Sequence, residues 1–472
     1  MEVSYKKEVP TSKKIDPDIL VAGQKASPIY KSKQGRKNGQ AINSFKLGVG
    51  NINLFNYKFL HGQTIQDHSY LLSLTRLLVN DYIPYSGGSK DKIGIDYTYR
   101  LASQETLSLA GRFERRKFDC PSKNGTSLGS NTGLFLPLKI TYQKELNNRE
   151  QILGDLTLEN LDTAVPGQAR NLLTMGLGLV YDNALDNTLL FQSSAVLVNR
   201  ISRLGLSLKY QPQETDRVRG RIGLDYYGSF LPRVANETLI AANIELRYDF
   251  SDNTYFKLLY KPKIVDVDYL KLYVDRQYSE INYTLRPQID TAFWQGELHQ
   301  KLTPKLNWDL LLGLGNSRQV IGYADLDNNG FVSPQNMGDG TSVLAAVNLY
   351  YDLNQESKLK LTYDYQNLRL DSGLNLPGIS MHSLILNAGW EPAESGFFGN
   401  LSLSWQDEQI DILNNSNTLP SYILVNLEGT KTLGSNMKVR AGIKNLFNTV
   451  YYQRSDFPEP GLSVELGTEL LF

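Results

Sequence analysis

Ile240-Ala241-Ala242-Asn243-Ile244-Glu245-Leu246-Arg247-Tyr248-Asp249-Phe250 repeats every two residues. Ile240, Ala242, Ile244, Leu246, Tyr248 and Phe250 are apolar, while Asn243, Glu245, Arg247 and Asp249 are polar or charged. Successive side chains of a β-strand point to opposite faces, so this stretch predicts a strand with one apolar and one polar face. Lys358 to Gln366 does the same, with Leu359, Leu361, Tyr363 and Tyr365 opposite Lys358, Lys360, Thr362, Asp364 and Gln366. Thr106 to Glu114 sets Leu107, Leu109 and Phe113 against Thr106, Ser108, Arg112 and Glu114. Amphipathic helical periodicity is nearly absent, and the chain reads as all-β.

Turn signals divide these strands regularly. Short polar turns fall near His61–Gln66, Ala102–Gln104, Asn147–Asn148, Asn183–Asn187, Pro212–Thr215, Ser251–Asn253, Thr303–Pro304, Asn354–Ser357, Pro392–Gly396 and Leu433–Asn436. They are about 41 residues apart on average, room for two strands of about 12 residues and one loop. Between them lie longer Gly/Asn/Pro/Ser-rich stretches near Tyr82–Lys90, Asp119–Thr132, Leu161–Arg170, Ser229–Asn236, Val265–Arg286, Arg318–Thr341, Asp371–Met381, Ile410–Thr418 and Asn448–Pro460. Short turns at one end and long loops at the other are the pattern of an antiparallel up-and-down transmembrane β-barrel, with periplasmic turns and extracellular loops. Ten short turns, with both termini at the short-turn end, require about 22 strands. The first strand is then expected within Asp18–Lys33, leaving 1–43 as a periplasmic leader with that first strand and 44–472 as the barrel. A soluble sandwich array, the competing architecture, explains neither the loop asymmetry nor strands this long.

Composition agrees and excludes other classes. The chain has 472 residues with 49 basic and 49 acidic side chains, so it lacks the basic excess of a general nucleic-acid binder. One cysteine, Cys120, rules out internal disulfides and cysteine-based metal centres, and it is expected in an outer loop as an incidental thiol. His61, His68, His299 and His382 are the only histidines, and no two stand at metal-ligand spacing. No run approaches 18 apolar residues, which excludes a transmembrane helix but not a barrel, where only alternate residues face lipid. The start, Met1-Glu2-Val3-Ser4-Tyr5-Lys6-Lys7, has no apolar core, so the chain is either a mature form or a cytosolic one. Tyr97, Tyr99, Tyr226, Tyr227, Tyr350, Tyr351, Trp390, Trp405, Tyr451 and Tyr452 cluster toward strand ends, where amphipathic rings settle at bilayer interfaces.

The most specific stretch is the last. Asn445-Leu446-Phe447-Asn448 is followed by Tyr451-Tyr452, then Phe457-Pro458-Glu459-Pro460-Gly461, then a strand ending at Phe472. This resembles the C-terminal signature of TonB-dependent outer-membrane receptors, with Leu462 where that family carries an arginine. The resemblance implies a 22-strand barrel in the cell outer membrane, a terminal Phe472 presented to the barrel-assembly machinery, and partnership with TonB. It also implies a plug domain ahead of the barrel, whereas 43 residues precede Ser44 here. Asp16-Pro17-Asp18-Ile19-Leu20-Val21-Ala22 is similar to the TonB-contacting segment of that family, or else belongs to a flexible leader.

A lumen that wide must be filled or wet. Its expected wall charges are Arg219, Arg221, Asp225, Glu245, Arg247, Asp249, Lys358, Lys360 and Asp364. A plug on another chain, a plug removed from this one, or loops folding inward would each complete it. Asp325-Leu326-Asp327-Asn328-Asn329-Gly330 is similar to the front of a calcium loop, with Asp325, Asp327 and Asn329 as oxygen ligands; the twelfth position, normally glutamate, is Asn336. The alternative is a solvated loop tip. Neither His299 nor His382 accompanies a nucleophile elbow or triad spacing, and no catalytic residue or cofactor is expected. The Lys31, Lys33, Arg36 and Lys37 run reads as a solvated segment. The sequence therefore points to an outer-membrane transporter barrel for a scarce ligand. A plugless or loop-gated channel and a structural or secretion-linked barrel are the alternatives.

Overall fold

The computed structural model describes residues 41–81, 86–121, 127–147, 150–165, 168–183, 188–198, 201–211, 217–230, 237–265, 285–325, 332–412, 417–454 and 457–472. Thirteen strands come first: β1 (Ala41–Gly50), β2 (Phe55–Ile65), β3 (His68–Val79), β4 (Gly88–Ala102), β5 (Glu105–Pro121), β6 (Ser127–Asn147), β7 (Glu150–Val165), β8 (Gln168–Asn183), β9 (Thr188–Val198), β10 (Ile201–Gln211), β11 (Val218–Phe230), β12 (Glu237–Ser251) and β13 (Thr254–Tyr260). The short β14 (Lys263–Val265) continues β13 along the same partner, β15 (Gln288–Thr303), and β16 (Leu306–Arg318) follows. A loop hairpin, β17 (Ile321–Ala324) and β18 (Ser333–Asn336), precedes β19 (Gly340–Asp352), β20 (Ser357–Leu370), β21 (His382–Trp390) and β22 (Phe397–Gln406). A second hairpin, β23 (Gln409–Ile410) and β24 (Thr418–Leu419), leads to β25 (Tyr422–Leu433) and β26 (Met437–Lys444). A third, β27 (Tyr452–Arg454) and β28 (Phe457–Pro458), precedes β29 (Ser463–Leu471).

Apart from the three loop hairpins, every strand pairs antiparallel with its chain neighbours, and β29 pairs back onto β1 through Ser44↔Leu471 to Gly50↔Glu465. With β14 taken as the tail of β13, the described residues close a ring of 22 staves. Closure leaves no open edge in hydrocarbon, where no water could satisfy one. All ten expected short turns join staves at one end, and both ends of the ring, Ala41 and Leu471, lie there too.

Two expectations need correction. The first stave is not within 18–33, residues outside the described ones, because the ring is complete with β1 at Ala41–Gly50. The strand expected from Ser44 ends at Gly50, and the chain reverses at 51–54 before β2, where Asn51 Oδ1 accepts from Val464 N and Asn51 Nδ2 donates to Leu462 O. The apolar parity of Phe45, Leu47 and Val49 continues into Phe55, Tyr57 and Phe59, so alternation does not reveal the reversal. Several expected long loops are also largely strand: Cys120 belongs to β5, and only 122–126 and 166–167 separate β5 from β6 and β7 from β8. Backbone pairing continues past the bilayer, where the outward side chains have no reason to stay apolar.

Among the described side chains, one face of the staves is exposed and apolar, including Ile240 at 68% and Leu314 at 59%. That face meets lipid. It is bounded by rings. Toward the short turns, His68 stacks on Tyr99 at 4.5 Å and its Nδ1 lies 2.6 Å from Tyr97 Oη, while Trp390 meets Phe397 edge-on at 5.5 Å. Toward the loops, Tyr260 packs on Trp294 at 4.2 Å, and Tyr363 Oη lies 2.8 Å from His382 Nδ1. From His382 to Trp390 is about 27 Å along the strand, or about 21 Å of membrane at a tilt near 40°, close to a barrel's apolar band.

Candidate functional site at the inner face and the loops over it

On β11, Arg219, Arg221, Asp225 and Tyr227 occupy the face opposite the exposed Val218, Ile222 and Leu224. On β12, Glu245, Arg247 and Asp249 oppose Ile240, Leu246, Tyr248 and Phe250, and on β20, Lys358, Lys360 and Asp364 share the side of buried Thr362. Registered pairing brings these side chains together across seven staves. Asp249 receives Arg219 Nε at 3.7 Å and Arg247 Nη2 at 2.8 Å. Arg247 lies 3.8 Å over the Tyr255 ring, which stacks on His299 at 4.9 Å. His299 Nδ1 is 2.5 Å from Asp309 Oδ1, Asp309 shares a hydrogen bond with Tyr350, and Lys360 Nζ stands 5.3 Å over Tyr350. Glu245 pairs with Lys257 at 3.1 Å. Asp225, buried to 2%, accepts from Asn243 Nδ2 at 2.9 Å and Tyr227 Oη at 3.2 Å. The result is a lateral belt of alternating charge and ring.

Sequence reading missed four members of this belt, Tyr255, His299, Asp309 and Tyr350. His299 and Asp309 pair directly across the β15–β16 hairpin, one residue off symmetry because of the bulge between Lys301 and Thr303, so only hairpin register could have paired them. Tyr227 and Tyr350, expected at the interface, are on the charged side instead. Alternation lets only one tyrosine of each adjacent pair face lipid, and their neighbours Tyr226 and Tyr351 do so. Tyr451 and Tyr452 are in the last loop, where Tyr451 packs on Tyr422 at 4.6 Å.

The loops fold inward. Leu368 and Leu370, on the side of β20 that carries Lys358 and Asp364, pack with Val320 and Leu376, and Met337 and Ile379 cover them. Backbone bonds reinforce this: Val320 N to Gly338 O at 2.7 Å, Leu376 N to Leu368 O at 2.9 Å and Asp371 N to Asp339 O at 2.9 Å. A second cluster joins Val332 to Ile412, with Tyr323 against it. Asn336 Oδ1 accepts from Arg286 N, and its Nδ2 donates to the Arg286 and Gln319 carbonyls. Segments 285–290, 319–325, 332–339, 371–381 and 407–412 are thereby one packed body. Asp290 anchors its edge, its Oδ1 accepting from Ser317 Oγ at 2.7 Å and Gln288 Nε2 at 2.9 Å, with Lys263 opposite in register. Burial pushes the Asp290 carboxyl above its ordinary range, against the pull of those bonds and of Lys263.

Of the calcium-loop residues, Asp325 follows β17 at the hairpin tip, while Asp327 and Asn329 lie outside the described residues. Asn336, at the twelfth position, holds backbone instead, and Asp339 Oδ1 accepts from Gln319 N at 3.0 Å. Among the described residues no group of three His, Cys, Asp or Glu converges as a metal site. Residues 16–22 and 31–37 are likewise outside the described ones.

The C-terminal signature is a loop staple. Asn445 adopts φ 49°, its N–H donates to Asn426 Oδ1, and its amide side chain accepts from Thr449 N and donates to the carbonyls of Thr449 and Pro460. Leu446 N donates to Val425 O. Asn448 Oδ1 accepts from Leu462 N, and a Cβ on Gly461 would stand 2.3 Å from that oxygen, so any other residue there would push the Asn448 side chain off its bond. Pro458 pairs with Tyr452 in the third hairpin, Phe447 is 70% exposed, and Phe472 N donates to Asn43 O at the opposite end.

No protein-family model matches the sequence, and no curated protein matches it in sequence. Solved structures do resemble the fold. The copper transporter OprC aligns with a TM-score of 0.69 at 13% identity, over 93% of this chain and 82% of that one. A ferric enterobactin receptor (PfeA) mutant from Pseudomonas aeruginosa gives 0.73 at 13%, over 93% and 81%. The FrpB iron transporter from Neisseria meningitidis gives 0.71 at 10%, over 93% and 82%. The chain has the barrel fold that its C-terminal resemblance to TonB-dependent outer-membrane receptors implied.

Proposed function

We propose that this chain is the barrel of an outer-membrane transporter that takes up a scarce ligand, a metal chelate, a cofactor or an oligosaccharide, through its lumen. The reading rests on one combination: a charged inner wall inside a very wide ring, under loops already assembled into a body. Twenty-two strands tilted near 40° give a backbone diameter of about 44 Å, far wider than a sieve for small solutes. Such a lumen needs a filler, and the belt from Arg219 to Lys360 offers a polar partner fixed charges of both signs. The solved structures of similar fold are described as copper and iron transporters and a ferric enterobactin receptor, which supports ligand uptake over a structural role. In this reading the loops capture ligand, TonB supplies energy, and a plug seated in the lumen transmits it.

A loop-gated channel is the second reading, favoured by Val320, Leu368, Leu370 and Leu376 packed over the mouth. Planar-bilayer recording separates the two. A transporter barrel with its filler is silent, and the barrel alone leaks steadily. A gated channel switches between discrete levels without any second protein.

A further inference from the structure

On the lipid side of β3–β5, Leu72, Leu74, Ile93 and Ile95 are exposed. One pair further toward the loops, the apolar face gives way to charge. Arg76 stands beside Asp91, and Asp91 beside Arg115, across three adjacent staves. Lys117 follows two residues beyond Arg115 on the same face, and Tyr57 flanks Arg76 on β2. Arg76 Nε is 3.6 Å from Asp91 Oδ1, with the two side chains 44% and 33% exposed. Arg115 and Lys117 are exposed, and their neighbours in register on β6 are Leu134 and Thr132, which carry no charge. This face thus carries three cations, Arg76, Arg115 and Lys117, against two carboxylates, Asp91 beside Arg76 and Asp119 two residues beyond Lys117, whose Oδ1 accepts from Ser130 Oγ.

The opposite face of the same strands supplies a comparison. There Lys90 and Lys92 both reach Glu114, at 2.8 and 2.9 Å. Lys90 and Lys92 thus share a carboxylate within 3 Å, whereas no acid contact of that length is made by Arg76 on the outer face. Two residues along a tilted strand place the Arg76–Arg115 row about 5 Å beyond the Leu74–Ile93 row, at the loop-side margin of the apolar face, with Leu78 and Phe55 in the row after it. Two strand spacings set the Arg76 and Arg115 backbones about 10 Å apart, and long side chains snorkel from such positions toward phosphate. Arginine forks bind phosphate oxygens in pairs.

We propose that Arg76, Arg115 and Lys117 form a binding site for the phosphate of an anionic lipid headgroup in the leaflet on the long-loop side. Asp91 orients the guanidinium groups and tempers affinity. This is independent of what the lumen carries.

The test is native mass spectrometry of the full chain in a neutral detergent, titrated with dioleoylphosphatidylglycerol or dioleoylphosphatidylcholine. Expected is an adduct with the anionic lipid at concentrations where the zwitterionic lipid gives none. Joint replacement Arg76→Gln, Arg115→Gln and Lys117→Gln should weaken it at least tenfold, and Asp91→Asn should strengthen it several-fold. Lys90→Gln with Lys92→Gln, on the inner face, should leave it unchanged. Should the triple variant fail to show the heat-modifiable mobility of a folded barrel, the Asp91→Asn gain decides. Equal retention of both lipids, an unaltered triple variant, no gain in Asp91→Asn, an equal loss in the inner-face variant, or displacement by equimolar inorganic phosphate would overturn the proposal.

Discussion

His299 Nδ1 lies 2.5 Å from Asp309 Oδ1, directly across the β15–β16 ladder, and Tyr255 stacks on the same imidazole at 4.9 Å. The pair is the midpoint of the belt, since Tyr350 also bonds Asp309 and Arg247 also covers Tyr255. Asp309→Asn and His299→Gln should each destabilise the barrel by about 1–2 kcal/mol. Because both remove the same contact, the double variant should cost about 1 kcal/mol less than the two added together. Urea unfolding in micelles measures the four corners of the cycle. Simple additivity would show that the contact carries no coupling.

Asn445 joins a left-handed backbone to hydrogen bonds with Asn426, Thr449 and Pro460. Asn445→Ala loses the bridge and keeps the strained φ, so it should cost about 2–3 kcal/mol. Asn445→Gly relieves φ but not the bridge, and should cost roughly half as much. Local hydrogen exchange at Thr449 and Leu462 should rise in both variants. If glycine is as damaging as alanine, the φ argument fails.

The ladder of staves was legible because alternation and turn chemistry are local. All ten short turns were readable from polar clusters such as Ser251–Asn253. What escaped depends on pairing between strands. The reversal at Asn51 hides within an unbroken parity, and the strand extensions through Cys120 carry no apolar signal once they leave lipid. The belt was half visible: Arg219, Arg247 and Asp249 announce a polar face, but Tyr255 and His299 join it only through register. The loop body was invisible, because Val320, Leu368 and Leu376 meet from three separate segments with no periodicity to betray them.

Asp290 should make stability depend on pH. Burial raises its carboxyl, so the folded barrel holds that proton more tightly than the unfolded chain does. Stability linked to it is full below the ordinary carboxylate value of 3.8 and is lost as pH rises through the folded-state value. Asp290→Asn keeps an Oδ1 acceptor for Ser317 and Gln288 and removes the charge. The variant should therefore gain on the parent as pH climbs from about 4 to 7, a difference read from paired urea titrations. Parallel curves would show that Asp290 does not titrate in this window.

The apolar body over the mouth should control passage. Val320 is fully buried and Leu368 nearly so, and each supports segments anchored on different staves. A carboxylate at either position must be desolvated or must pry the packing open, and opening is the less costly outcome for segments with solvent on one side. Val320→Asp and Leu368→Asp should leave the barrel folded, because neither touches the stave ladder between lipid-facing rings. Both should raise single-channel conductance or lengthen open times in planar bilayers, most at neutral pH, where the new acid is charged. Asp309→Asn, which weakens the belt deep in the wall, should leave opening frequency unchanged. If the loop variants conduct no more than the parent, the packed segments are not what closes the mouth, and whatever fills the lumen must lie beneath them.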